Sequence, residues 1–260
     1  MRVVTLLLLL TAAGVPVSAQ QADQEPLFTR GDAAWAAGFL VGTAALAPLD
    51  RYLAAELQNP RSQESRFLRG TATGFRLLGH PGALAVAGGA WAIGRLADRP
   101  GLADVGLHAG TAIVVGEGVT YVGKLLFGRA RPYMDVADPH DFGFLRGTSY
   151  DYQSFPSGHT TAAFAVAAAL TTEAGERRPD DQWWIGTALY SAAALTGVSR
   201  MYNNEHWASD IAAAAAIGTF AGWKTVRYTH SHEGNEVDGI FLSVGVSGGR
   251  VSLMVLPLVP

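Results

Sequence analysis

The sequence predicts an all-α protein, a bundle of about six core helices followed by a small C-terminal β-hairpin. Three observations lead there. Apolar runs rich in Ala and Gly recur along residues 33–223, each of helical length and separated by Pro, Gly or charged breaks. Only the tail alternates apolar and small residues at the two-residue period of a strand. No internal repeat or low-complexity linker divides the chain, so one helical domain with a β appendage is the economical reading.

The chain opens on Met1-Arg2, an apolar stretch from Val3 to Leu10 and the small residues Val17-Ser18-Ala19, the pattern of a secretory signal peptide over residues 1–19. The apolar stretch is shorter than the roughly 20 residues that span a bilayer, which favours cleavage over anchoring. After a polar start, a first helix is expected from Ala33 to Leu49, with Trp35 and Phe39, closed by Pro48 and Asp50. Residues 51–80 carry five arginines and the break Asn59-Pro60, and read as an amphipathic or loop-rich connection. A second helix is expected over Gly82–Leu96 and a third over Leu102–Phe127, after Pro100-Gly101. Residues 132–156, with three prolines, form a polar and aromatic loop. Three more helices follow at Thr160–Ala174, Trp183–Val198 and His206–Trp223. In the tail, Ile240–Val246 and Val251–Leu256 flank Ser247-Gly248-Gly249 as a hairpin. The domain plan is therefore a signal peptide at 1–19, a helical domain at 20–232 and a hairpin tail at 233–260.

Composition narrows the function. Hydrophobic residues make up 49% and charged residues 16% of the chain, the latter well below the roughly 25% of soluble domains, which points to membrane contact or an Ala/Gly-rich helical interior. A net charge of −3 without a basic stripe speaks against nucleic-acid binding. The absence of cysteine excludes disulfides, thiolate metal sites and cysteine nucleophiles.

Three polar clusters interrupt the apolar pattern. Pro156-Ser157-Gly158-His159 stands directly before the fourth helix. Ser157 or Thr160 can cap that helix, Gly158 lets backbone approach a ligand, and the unpartnered first amides suit an anion such as phosphate. His159, in the first turn, is placed to donate a proton to it; a plain loop-to-helix junction is the alternative. Lys124 and Arg131 are seven residues apart, close to two turns, so both fall on about one face near the end of the third helix, which Pro132 should stop. Together they make an anion clamp, or else complement the helix dipole as Arg129 on another face would. With only two lysines among nineteen Lys and Arg, Lys124 is not the default cation. Finally, Ser199-Arg200 precedes His206 and Asp210, four apart, where a carboxylate can fix one imidazole nitrogen and leave the other as a nucleophile. A structural His–Asp pair is the alternative.

Lys-x6-Arg-Pro, Pro-Ser-Gly-His and Ser-Arg-x5-His-x3-Asp, in this order, resemble the signature of the type 2 phosphatidic acid phosphatase and vanadium haloperoxidase superfamily, with all eleven specified positions present. The resemblance covers about residues 33–225 and implies the fold of that family. It implies that Lys124, Arg131 and Arg200 bind phosphate oxygens with Ser157 and the Gly158 amide. His206 would be the nucleophile that becomes a phosphohistidine, oriented by Asp210, and His159 would protonate the leaving oxygen and then activate water. No metal or other cofactor is called for, because Arg and Lys take its electrostatic part, and vanadate should bind as a phosphate mimic.

The resulting expectation is a metal-independent phosphatase of phosphomonoesters or diphosphates, lipid-linked or small. Phosphatidate, phosphatidylglycerol phosphate, undecaprenyl diphosphate and lipid A phosphates all stay open as substrates. A soluble periplasmic acid phosphatase, a vanadium haloperoxidase and a non-catalytic envelope protein are the rival readings. His80, His108, His140, His230 and His232 are read as packing or solvent residues. Tyr133, Phe142, Phe144, Tyr150, Tyr152 and Phe155 are read as an aromatic rim gripping the organic part of the substrate. Localisation is expected at the cell envelope, membrane-associated with the site facing the periplasm. Short apolar runs in the second and fourth helices, and Glu117 inside the third, keep a soluble periplasmic protein in view.

Overall fold

The computed structural model describes residues 28–231, 243–247 and 250–254; the expected signal peptide and the turn of the expected hairpin lie outside the described residues. Helix α1 (Arg30–Leu46) starts on a capping box, in which the Thr29 hydroxyl accepts the Asp32 amide at 3.1 Å and the Asp32 carboxylate accepts the Thr29 amide at 2.7 Å. The arginine-rich connection is largely helical, a departure from the sequence reading: α2 (Asp50–Leu57), α3 (Pro60–Glu64) and α4 (Arg66–Gly79) fill it. Helix α4 explains the difference. Ser65 caps it, its arginines 66, 69 and 76 are exposed, and its small residues Ala72 and Gly79 are buried where it crosses α8 (Gln182–Tyr202) and α7 (Gly158–Arg177). Such a helix is amphipathic without a continuous apolar run, its contact face combining these small residues with the half-buried Phe75.

Helices α5 (Gly82–Leu96) and α6 (Pro100–Phe127) pack on each other, and α6 continues onto α7 and α9 (Ala208–Ser231). Helix α7 is the centre of the bundle, in contact with α6, α8 and α9. Its Ala162, Ala165, Ala168 and Ala169 are fully buried. On the facing side of α9, a Cβ at Gly218 or Gly222 would run into the carbonyl oxygens of Thr161 and Ala165. The two backbones thus touch directly, which only small residues permit. Asp32 and Lys224 close α1 against α9 with a buried ion pair at 2.9 Å.

Three helix ends matter for the site: α6 ends at Phe127 as expected, α7 starts two residues earlier than expected and α9 two residues later. Helix α6 stops at Phe127, because Gly128 adopts the left-handed conformation (φ 47°) and its amide returns to the Lys124 carbonyl at 3.1 Å. Arg131 therefore sits on the loop beyond the helix instead of on a shared helical face with Lys124. Helix α7 starts at Gly158, with Ser157 as its N-cap residue. Helix α9 starts at Ala208, leaving His206 on the loop before it.

The outer faces are strongly apolar. Trp35, Leu40 and Val41 of α1 and Val114, Val115, Val119, Val122 and Leu126 of α6 are exposed. At 28 residues, α6 is about 42 Å long, more than the ~30 Å of a bilayer interior. The segment Arg30–Leu57 and α6 are long and apolar enough to cross a membrane. Apart from the bundle, the backbones of Ser243–Ser247 and Arg250–Met254 lie antiparallel, with Ser247 opposite Arg250.

Candidate active site

The end of α6, the loop 128–157, the start of α7 and the α8–α9 junction meet at one end of the bundle. His206 is 3% exposed, and its Nδ1 lies 2.7 Å from the Ser154 carbonyl oxygen. A carbonyl can only accept, so Nδ1 carries the proton and Nε2 keeps the free lone pair. Burial holds the His206 pKa down at about 3, helped by the nearby charges of Lys124 and Arg131 and opposed by Asp210, so the ring is neutral at physiological pH.

Asp210 is fully buried, but its Oδ2 stands 3.8 Å from His206 Nδ1, beyond hydrogen-bond reach. This departs from the helix-spaced His–Asp pair read in the sequence, because His206 precedes α9 instead of lying on it. Asp210 holds the loop instead: Oδ2 accepts the Ser154 hydroxyl at 2.6 Å and the Trp207 amide at 2.9 Å. Its carboxylate therefore positions the residue whose carbonyl orients the imidazole. Burial pushes the Asp210 pKa up, yet Arg129 and the hydrogen bonds outweigh it and leave the carboxyl at about 2.

Arg129, read in the sequence as a helix-end residue, is 2% exposed and knits the site together. Its guanidinium donates to Asp210 Oδ1 at 2.5 Å, Asp50 Oδ2 at 2.7 Å, Ser209 Oγ at 2.8 Å and the Pro139 carbonyl. Asp50 also accepts the amide and hydroxyl of Ser209 at 2.8 and 2.5 Å. The start of α2 is in this way tied to the start of α9.

The cations of the two basic clusters converge. Lys124 Nζ donates to the Gln153 carbonyl at 2.5 Å, and the charges of Lys124, Arg131 and Arg200 act on one another. Arg131 donates to the Tyr150 carbonyl at 2.9 Å and to the Glu205 carboxylate at 2.6 Å, and its guanidinium lies 4.0 Å from the Tyr150 ring centroid. Arg200 reaches the same Glu205 oxygen at 3.8 Å, and its buried Nε has no acceptor among the described residues. Glu205 thus lays a carboxylate across two of the three cations. Asn204, at φ 60°, makes the turn that presents Glu205 and His206.

Ser157, fully buried, accepts a hydrogen bond from the Thr160 hydroxyl at 3.0 Å, which leaves its own proton for another acceptor. Gly158 follows it at the first position of α7. His159 is half-buried, and its ring meets that of His80 edge to face at 5.2 Å. His80 Nε2 lies 3.1 Å from Glu117 Oε1, and the Glu117 carboxylate occupies the space beside Gly158 that a Cβ would approach to 3.1 Å. Burial, with the charges of Arg200, His80, Arg76 and Lys124 behind it, pushes the His159 pKa down to about 3.

The loop aromatics divide. Tyr133, Phe142, Phe144 and Tyr150 are exposed, Phe144 most of all at 78%, whereas Phe155 is half-buried; Phe142 meets the Phe155 ring and lies 4.8 Å from the Arg129 guanidinium. Asp50, His80, Glu117, Ser154 and Glu205 carry no motif that the sequence reading could use; Glu117, a charge inside an apolar helix, was the one local signal of a polar partner.

Residues 105–233 match the model of the PAP2 superfamily. The chain belongs to this superfamily. The PAP2 match runs from α6 to the end of α9 and omits Asp50 and His80, which reach the site from outside it. Among curated relatives, the chain is 44% identical over 86 residues to a lipid A 1-phosphatase of Porphyromonas gingivalis, covering 33% of this chain and 18% of that one. It is 29% identical over 123 residues to a lipid A 1-phosphatase of Rhizobium etli (46% and 47% covered). It is 28% identical over 123 residues to the undecaprenyl-diphosphatase BcrC of Bacillus subtilis (47% and 57% covered). The chain thus spans less than two thirds of the length of each of these relatives. Two crystal structures share the PAP2 fold. Aquifex aeolicus LpxE aligns at a TM-score of 0.51 and 23% identity, covering 69% of this chain and 96% of that one. The transmembrane PAP2-type phosphatidylglycerolphosphate phosphatase of Bacillus subtilis aligns at 0.53 and 18% identity, covering 78% and 97%. This likeness is of the helical body and lends no support to a hairpin as part of the fold.

Proposed function

We propose that this PAP2 protein is a membrane-bound, metal-independent phosphatase that releases phosphate from a lipid-linked phosphomonoester or diphosphate through a phosphohistidine on His206. The observation that carries the reading is the fixed tautomer of His206: a neutral imidazole, its Nδ1 proton committed to the Ser154 carbonyl, within the field of Lys124 and Arg131.

In this mechanism Lys124, Arg131 and Arg200 take the equatorial phosphoryl oxygens, with the Ser157 hydroxyl and the Gly158 amide completing the cage. Nε2 of His206 attacks phosphorus as the bond to the leaving oxygen breaks, and positive charge forms on the imidazole beside Asp210. His159 gives its proton to the leaving oxygen. In the free protein that ring is held neutral by burial and, after it, by its cationic neighbours, and an incoming phosphate brings the negative charge that lets it take up a proton. His159, neutral again, then removes a proton from water as the water attacks the phosphohistidine, freeing phosphate and His206. Cations fixed by the fold supply the charge stabilisation that a metal ion would otherwise give.

Two observations favour a lipid over a small ester. The exposed apolar faces of α1 and α6 suit a bilayer, where the substrate would reside. An apolar crevice of about 110 Å³, lined by Leu78, Val86, Ala163, Val166, Ala167 and Leu189 among others, lies along α7 from Ala163 onward, one turn beyond His159, where an acyl or isoprenyl chain could lie. The names of the relatives agree with this class, and a site facing the periplasm would meet such lipids in the outer leaflet.

The test is phosphate release by detergent-purified protein in EDTA from lipid A, undecaprenyl diphosphate, phosphatidate, phosphatidylglycerol phosphate and a soluble aryl phosphate. Release from at least one lipid, with label trapped on His206 and both lost in His206→Ala, is expected. Activity that survives His206→Ala, or that needs an added metal ion, refutes the mechanism.

A further inference from the structure

We propose that His108, Glu173 and His230 form a binding site for a divalent transition-metal ion of the zinc type, separate from the phosphate cage. The three residues come from α6, α7 and α9, and Glu173 lies about 21 Å along α7 from His159, at the other end of the bundle. Nothing in the phosphatase mechanism uses them.

Three features argue for a metal. The first is the donor set. Two imidazoles and one carboxylate make a three-residue zinc site and leave a fourth position for water. Second, the donors converge on one point. His108 Nδ1 is 2.5 Å and His230 Nε2 is 3.1 Å from the same oxygen, Glu173 Oε1, and all three donor atoms lie within 4.8 Å of one another. Zinc–ligand bonds of about 2.0–2.1 Å in a tetrahedron place donors about 3.3 Å apart, so each Oε1 contact needs to open by less than about 1 Å. The third feature is support and access. Arg177 Nε holds the other carboxylate oxygen at 2.8 Å, which leaves Oε1 facing the imidazoles, and Arg177 itself packs over Gly101 at the start of α6. Glu173 and His108 are buried, while the His230 side chain is 39% exposed and opens the cluster to an arriving ion. An ion there would cross-link three helices that otherwise meet mainly through small side chains.

The test uses the full chain in detergent, stripped with EDTA, dialysed and then titrated with Zn²⁺, with retained metal measured by mass spectrometry. A parallel loading with Co²⁺ reports the ligand field by visible absorption. One Zn²⁺ per chain is expected, with affinity lowered about tenfold or more in both His108→Ala and His230→Ala, and Co²⁺ bands of four-coordinate intensity that vanish in both. Phosphate release in EDTA should be unchanged in the two variants, which shows that they fold. Failure to retain Zn²⁺, or retention equal in the parent and in the well-folded His230→Ala variant, overturns the proposal and leaves the phosphatase reading intact.

Discussion

Replacing Arg129 with Met should unfold the site from beneath without touching a group that contacts substrate. The guanidinium is 2% exposed and its carboxylate partners Asp50 and Asp210 are fully buried. Met keeps much of the side-chain volume but removes every donor, so two buried carboxylates lose their counter-charge at once. Removing one partner of a buried ion pair typically destabilises by about 3–5 kcal/mol, since the desolvated charge left behind has nothing to balance it. For a domain of this size that corresponds to a fall in melting temperature of about 6–20 °C. Asp210 should answer in a second way. Its carboxyl is held at about 2 against the effect of burial chiefly by Arg129, so without that charge it moves back up. Circular-dichroism melts in detergent measure the first effect, and the acid limb of the stability profile measures the second. A double variant, Arg129→Met with Asp50→Asn, removes one stranded charge and should recover part of the loss. A melting temperature within about 2 °C of the parent would show that Arg129 does not anchor the α2–α9 junction, and the account of Asp210 given above would fall with it.

Other outcomes follow from the same geometry. Glu205→Gln frees Arg131 and Arg200 from a partly buried carboxylate; at about 1 kcal/mol for such a pair, vanadate inhibition should tighten about fivefold, and unchanged inhibition would show that Glu205 does not compete with phosphate. The pKa of His206, lowered from 6.5 to about 3, means that unfolding takes up a proton between those values, so stability falls as acid crosses that window. For the same reason, kcat/KM should show no loss of nucleophile near pH 6.5; a pH profile that collapses there, with the substrate's own ionisation subtracted, contradicts a neutral, buried His206. Gly222→Val forces a side chain into the Ala165 carbonyl and should destabilise by at least about 1–3 kcal/mol, read from denaturant unfolding; a neutral change would mean that α7 and α9 are not in backbone contact.

The residues that meet at the candidate site were legible because each stands in a short polar segment. Lys124, Arg131, Ser157, Gly158, His159, Arg200 and His206 lie in short segments whose residue types stand out from an Ala-rich background. What holds those segments was not legible, because its partners are far apart in the chain. Arg129 meets Asp50 across 79 residues and Asp210 across 81, and His80 meets Glu117 across 37. Spacing rules speak only to neighbours on one helix, so Arg129 read as a helix-end charge and His206–Asp210 as a helical pair. Helix α4 was missed for a related reason. Its apolar residues, Leu68, Ala72, Phe75 and Leu78, are interspersed with three arginines and three glycines, so they form a helical stripe but no continuous apolar run.

On the proposed function, the carboxylate of Glu205 has a bearing on selection among lipids. A bilayer presents a vast excess of phosphodiester headgroups, each with a single negative charge on phosphorus, over the rare lipids that end in a phosphomonoester. To reach Arg131 and Arg200 a ligand must displace a resident anion of unit charge, an even exchange for a diester and a gain for a doubly charged terminal phosphate. Glu205 would therefore act as a charge threshold, keeping bulk lipid out of a site that bare arginines would offer to any headgroup. Vesicles of phosphatidylglycerol should inhibit the Glu205→Gln variant while leaving the parent protein almost unaffected; equal inhibition of both would mean that no such threshold exists.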